Sequence, residues 1–121
     1  MTTTIALYVL FGLFTKHFIV DFPMQGPFQY KNKGTYGHPG GILHSYNHFL
    51  GTWLCFVFVS KYAIVLAFAD MFIHYHIDWA KMNINAKMGW GPTTHEQFWW
   101  LLGADQFLHA LTYLGMVLVL V

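Results

Sequence analysis

Four stretches of the chain carry long apolar runs interrupted by sparse polar residues at helical intervals. The first is expected to open at Thr3 or Thr4, whose hydroxyls can cap a helix, and to end near Phe22, because Pro23 cannot continue it; this gives a helix over 4–22. From Pro23 to Gly41 the residues change to Gly, Pro, Gln, Asn, Lys and Tyr, the composition of a loop. Helices are predicted over 42–59 and 62–82, divided at Ser60-Lys61 although no Gly or Pro marks the turn. The last helix spans 94–121, after Gly89-Trp90-Gly91-Pro92, with Thr93 and Glu96, or Thr94 and Gln97, at capping-box spacing.

The polar residues inside these runs are not scattered. Asp70, His74 and Asp78 advance by four residues each time and form one stripe on a helix otherwise made of Phe, Ile, Met, Tyr and Trp. His17 with Asp21, His44 with His48, and Asp105 with His109 repeat the spacing. Random placement of twelve His and Asp among 121 residues would give roughly one such pair, and the chain has five. A single helix from Ile42 to Lys81 would hold His44 and His48 roughly 40 Å from the Asp70 stripe at about 1.5 Å per residue. A hairpin instead brings all the pairs to one level. The expected fold is therefore all-α: an antiparallel four-helix transmembrane bundle in one domain over 1–121, with its His/Asp cluster inward near one membrane face.

Composition decides what surrounds the bundle. Hydrophobic residues make up 56% and charged residues 9%, with no Arg, whereas a soluble domain needs about a quarter of its residues charged. The outer surface is expected to meet a lipid bilayer, in the cell's inner (plasma) membrane. No run of 18 purely apolar residues occurs, so a tightly oligomeric soluble helical protein is the rival. A net charge of +1, with lysines scattered among loops and helix ends, argues against nucleic acid. Met1-Thr-Thr-Thr lacks a basic segment, and the first helix reads as a membrane helix and not a signal peptide. Lys31, Lys33, Lys81 and Lys87 flank the site-bearing face against Lys61 at the other, which turns the site toward the cytoplasm. An aromatic surface leaves room for a homo-oligomer or a larger membrane complex, and Cys55 alone supports neither a disulfide nor a thiolate metal motif.

A His or carboxylate at membrane depth costs several kcal/mol unless it is paired or coordinates a metal. The economical explanation is a mono- or dinuclear divalent metal site drawn from His17, Asp21, His44, His48, Asp70, His74, Asp78, Asp105 and His109. Mixed imidazole and carboxylate donors suit zinc first, with iron or manganese as alternatives. A self-satisfied His–Asp hydrogen-bond network is the competing reading. With no nucleophile elbow or Gly-rich phosphate loop, any enzyme must be metal-driven, with Asp78 as catalytic base and Lys81 or Lys16 receiving the anionic group of a lipid-linked or phosphorylated substrate. Without turnover, the same donors would store, sense or conduct a cation, or serve an accessory subunit. Lys16 and Lys81 otherwise snorkel, Gln25 and Gln106 are candidate supporting donors, His76 is either a supporting donor or interfacial, His38 is solvated, and His95 and Glu96 are capping residues.

The segments His17-Phe-Ile-Val-Asp21-Phe-Pro-Met-Gln25, Gly40-Gly41-Ile-Leu-His44, His74-Tyr-His-Ile-Asp78-Trp-Ala-Lys81 and Asp105-Gln106-Phe-Leu-His109 resemble a family of small bacterial and phage membrane proteins of unknown function. The resemblance covers nearly the whole chain and implies a membrane location and a functional role for the polar set. It implies no particular reaction. The histidine boxes of membrane desaturases and hydroxylases are a vaguer similarity, since their adjacent His-His is missing here.

Overall fold

Helix α1 (Thr3–Asp21) begins where the Thr2 hydroxyl accepts the Ile5 N–H at 3.2 Å, one residue ahead of the threonines expected to cap it, in a computed structural model that describes residues 1–121. The segment expected to be loop contains a single-turn helix, α2 (Pro27–Tyr30), with proline at its first position, where the missing N–H costs nothing. Helix α3 (Pro39–Phe56) starts three residues earlier than expected for the same reason. His38 precedes that proline and is not simply solvated: its Nδ1 accepts the Gly40 N–H at 3.0 Å as the N-cap.

The two central helices form a hairpin, which excludes one continuous helix. Residues 57–62 form turns outside the helices, and the Ser60 hydroxyl accepts the Tyr62 N–H at 3.1 Å. Helix α4 (Ala63–Met88) runs past Asn83 and Asn85 and stops only at Gly89, whose φ of 66° lies in the left-handed region that glycine alone enters without strain. Helix α5 (Glu96–Leu118) has His95 at its N-cap position with no side-chain cap bond, and the Thr94 hydroxyl pairs with His95 Nδ1 at 2.8 Å, so the capping box is not made.

The chain is thus all-helical, with five helices and no strand. The four long helices close a ring in which α1 packs on α3 and α5, and α4 on α3 and α5. Side-chain pairings run in opposite order along each neighbouring pair: Thr52 meets Asp70 while His44 meets Asp78, and Lys81 meets Asp105 while Asp78 meets His109. Neighbours are therefore antiparallel, and the Met1 amino group reaches the Leu120 carbonyl at 3.4 Å, so both ends of the chain share one end of the ring.

That end holds the apolar core of Ala6, Val9, Leu13, Phe56, Ala63, Tyr113, Met116 and Val117. The other half of the interior is polar. Buried polar and charged side chains number thirteen against ten buried hydrophobic ones, while Leu7, Phe11, Phe58, Phe72 and Trp100 are exposed, the reverse of a water-soluble distribution. Two helices, Thr3–Asp21 and Glu96–Leu118, are long and apolar enough to cross a membrane.

Candidate metal centre

The four-residue spacing places its side chains as expected on inward faces, and close backbone approach lets them meet. A Cβ on Gly40 would collide with the Phe28 carbonyl, and one on Gly41 would stand 3.0 Å from the Lys33 Cα, so the Gly40-Gly41 pair lets the turn after α2 lie on the start of α3. A Cβ on Gly51 would stand 3.0 Å from Lys16 Cδ. That gap admits the lysine stem between α1 and α3.

Six of the nine expected ligands fall into two groups of donor atoms that could hold a metal ion: Asp21, His44, His48 and His74, and, sharing His74, Asp78 and His109. The other three stand apart. Asp70 accepts from Lys16 Nζ at 2.8 Å and from the Thr52 hydroxyl at 2.6 Å. Asp105 pairs with Lys81 Nζ at 3.3 Å and accepts the Gln106 amide at 3.0 Å. His17 is held on both ring nitrogens, by Tyr113 and by Gln106.

Fixed partners sort the histidines into donors and bare ligand atoms. An ammonium only donates, so Lys16 Nζ at 2.8 Å makes His48 Nδ1 an acceptor and puts the ring proton on Nε2, which donates to Asp21 Oδ1 at 2.7 Å. The Gln106 amide donates to Asp105, so its oxygen faces His17 Nε2 at 2.7 Å and takes that proton, while the Tyr113 hydroxyl donates to His17 Nδ1 at 2.7 Å. His109 Nε2 is hydrogen-bonded to Asp78 Oδ1 at 3.1 Å and lies 3.0 Å from Asp105 Oδ1, so its proton sits between two carboxylates. His17, His48 and His109 are thereby donors.

His44 is the opposite case. Gln29 donates its amide to the Met24 carbonyl at 3.1 Å, which turns its oxygen to His44 Nδ1 at 3.2 Å; that nitrogen carries the proton and leaves Nε2 bare. The bare nitrogen faces Asp21 Oδ1 at 3.1 Å and Asp78 Oδ2 at 3.2 Å. His74 Nε2 faces the same two oxygens at 3.5 Å and 3.2 Å. His74 is stacked between the His48 and His109 rings at centroid distances of 3.6 Å and 3.8 Å, and neither of its nitrogens has a hydrogen-bond partner. His44 Nε2 and Asp78 Oδ2 are likewise buried and unsatisfied.

Asp21 Oδ1, His44 Nε2, Asp78 Oδ2 and His74 Nε2 therefore make a closed ring of alternating oxygen and nitrogen with edges of 3.1–3.5 Å. Adjacent ligands of an ion with bonds of about 2.0–2.2 Å stand roughly 3.0–3.5 Å apart. The charges point the same way. Asp70, Asp78 and Asp105 each face one ammonium, of Lys16, Lys33 and Lys81, whereas Asp21 has only imidazoles around it. Four carboxylates against three ammoniums leave a net charge of −1 when the imidazoles are neutral, which one bound cation or one imidazolium would balance.

Lys16 neither snorkels nor awaits a substrate, because it is buried and spent between His48 and Asp70, with its ammonium 4.6 Å from the Tyr113 ring centre. Gln106 accepts from His17 and donates to Asp105, and Gln25 donates only to the Asp21 carbonyl, at 2.6 Å. His76 packs outside the site against Tyr36. Sequence reasoning missed Gln29, Lys33, Thr52 and Tyr113. Thr52 and Tyr113 continue four-residue steps already visible, His44-His48-Thr52 and Asp105-His109-Tyr113, whereas Gln29 and Lys33 lie beyond the end of α1, where that spacing marks no helical face.

The chain belongs to the family described as "Protein of unknown function (DUF3307)", whose model matches residues 9–121. No curated protein and no solved structure matches it. The family match carries the resemblance read from the motifs as far as a family of unknown function.

Proposed function

We propose that this protein is a small membrane-embedded metalloprotein in which Asp21, His44, His74 and Asp78 hold one divalent ion, zinc before iron or manganese. The observation that carries the reading is the ring of buried donor atoms with no hydrogen-bond partner on three of its four corners, His44 Nε2, His74 Nε2 and Asp78 Oδ2. Lone pairs turned on one another in a dry interior are costly, and a cation would remove the cost at those three positions. Two imidazoles and two carboxylates would supply the four protein donors that zinc commonly takes, whereas iron and manganese more often keep further positions.

The bilayer supports the same picture. Two helices meet the length and hydropathy for crossing, and in α3 and α4 the buried His44, His48, Asp70, His74 and Asp78 lower the mean without being offered to lipid. The surface such helices present is Phe, Leu, Ile and Val.

All four donors are buried, and Asp21 is the most exposed at 8%. A full protein shell without solvent access favours a role in which the ion is held, sensed or passed on, alone or within a larger membrane complex, over hydrolysis, which needs an open position for water. One observation favours the hydrolytic reading: Lys33 Nζ touches Asp78 Oδ2 at 3.5 Å and also lines a cavity, so displacement of Lys33 would expose the ion side of Asp78 to a substrate. In that reading Asp78 is the base and Lys81 receives the anionic group of a lipid-linked or phosphorylated substrate.

Elemental analysis of protein purified without a polyhistidine tag or chelator is the test. About one divalent ion per chain is expected. Less than about 0.2 per chain, together with unchanged thermal stability on adding chelator, would replace the metal with a protonated hydrogen-bond network.

A further inference from the structure

Two contiguous cavities beside the metal ring differ sharply in chemistry. The first, about 260 Å³ between the α2 turn, α4 and α5, has Lys33 and Lys81 in its wall together with Asn85, Met82 and Phe98. The second, about 420 Å³, runs along α4 and α5 past Ile77, Ala80, Ile84 and Leu108. Lys81 and Leu101 line both.

The polar end is built and underused. Lys33 is 7% exposed although it sits in a turn, and its ammonium has a single long carboxylate contact of 3.5 Å. The Lys81 ammonium likewise has one, of 3.3 Å. Each retains donors that a tight ion pair would have used. Asn85 gives its amide to the Trp90 carbonyl at 3.1 Å, which leaves Oδ1 buried with no partner. Two cationic donors and one free acceptor in an otherwise apolar wall suit an anion that also carries a hydroxyl, while the adjoining groove is mostly hydrocarbon, with His76 and Asp105 as its further polar lining.

We propose that the two cavities form one site for an anionic amphiphile, with its phosphate-bearing head on Lys33, Lys81 and Asn85 and its hydrocarbon chain in the α4–α5 groove. The site names a substrate or ligand class for the hydrolytic reading above, but its binding stands without the metal, since none of its head-group donors belongs to the ring. Leu101 marks the junction where head gives way to chain.

The full chain, purified in a neutral maltoside detergent with and without chelator, is titrated with dioctanoyl phosphatidic acid, dioctanoylglycerol and inorganic phosphate, and binding is read by calorimetry. Phosphatidic acid is expected to bind at least about tenfold more tightly than either other probe, whether or not metal is present. Lys81→Met should weaken it by about tenfold or more, Lys81→Arg should retain it, and Leu101→Trp should weaken phosphatidic acid while leaving inorganic phosphate unchanged. Circular dichroism on each variant separates lost binding from lost fold. Equal affinity for dioctanoylglycerol, or an unaffected Lys81→Met, overturns the proposal. Inorganic phosphate binding as tightly as phosphatidic acid overturns it in favour of a free-phosphate site. A metal-free chain that still binds phosphatidic acid would leave this site standing even if the metal reading failed.

Discussion

His74 Nε2 stands 3.2 Å from Asp78 Oδ2, one turn along the same helix, and neither atom has a hydrogen-bond partner. The pair comes from the four-residue spacing of α4, yet its meaning comes from α1 and α3, which set Asp21 and His44 opposite it. The histidines beside it are tied to other tasks by fixed partners: Lys16 for His48, Tyr113 and Gln106 for His17. A cluster that looks like nine equivalent ligands thus divides into a four-atom ring and the groups that orient it.

That division is testable by substitution. His74→Phe keeps the ring stack between His48 and His109 but removes a ligand, so bound metal should fall to near zero. His48→Gln removes a proton donor to Asp21 and should leave metal content near wild type, with a loss of about 1–3 kcal/mol in stability from the disturbed bonds to Lys16 and Asp21. Elemental analysis of the two variants decides between them. If His48→Gln loses its metal as completely as His74→Phe, the proton assignment drawn from Lys16 is wrong.

Lys16 carries a second prediction. Its ammonium joins Asp70 at 2.8 Å and His48 at 2.8 Å with almost no exposure, so Lys16→Met leaves a buried carboxylate whose remaining donor is the Thr52 hydroxyl. Stability should drop by about 3–5 kcal/mol. Adding Asp70→Asn to Lys16→Met removes the orphaned charge and should recover a large part of the loss. Thermal unfolding of the single and double variants in detergent measures this, and a double variant no more stable than Lys16→Met would show that the lysine acts through packing alone.

The expectations that held were those resting on long periodic signals. Apolar runs and their polar stripes located four long helices within a few residues at most ends, and one level for the pairs separated the hairpin from a continuous helix. Ends failed where a local bond outweighed composition: Asn83 and Asn85 lie inside α4, their amides given to the Trp79, Gly34 and Trp90 carbonyls, and Pro39 starts α3 because a proline suits a first helical turn. Helix α2 is a single turn, too short for a period to register. Lys33 was legible only as a loop lysine, since its burial depends on Gly41 letting the turn approach α3. Which histidines bind and which donate could not be read from spacing at all, because protons are assigned by partners on other helices.

The glycines yield a paired prediction. Gly51→Ala brings a Cβ to 3.0 Å from the Lys16 Cδ and should cost about 1–3 kcal/mol as that buried stem is forced aside. Gly103→Ala, in the interior of α5 with open space around it, should be neutral or stabilising by up to about 1 kcal/mol. Unfolding of both variants under one condition provides the comparison. Equal effects would mean that helix propensity, and not the fit of Lys16 against α3, governs position 51.

The membrane reading predicts which loops share a side. With the single cysteine replaced in a Cys55→Ser background, cysteines introduced at exposed Thr35 and Thr93 should react with an impermeant maleimide from one face of the membrane, and those at exposed Thr2 and Lys61 from the other. The structure also changes the orientation argument. Lys33 and Lys81 are paired with Asp78 and Asp105, so the charge bias toward the site-bearing end rests on exposed Lys31 and Lys87 against Lys61. On the membrane reading, two lysines against one keep the cytoplasm as the expected side for the site. Lys31→Gln with Lys87→Gln should therefore yield chains of mixed orientation, seen as partial labelling at all four positions from either side. Uniform labelling of all four positions from one face of the intact wild-type background would mean that the helices lie along the membrane or outside it, and the embedded bundle would have to be abandoned.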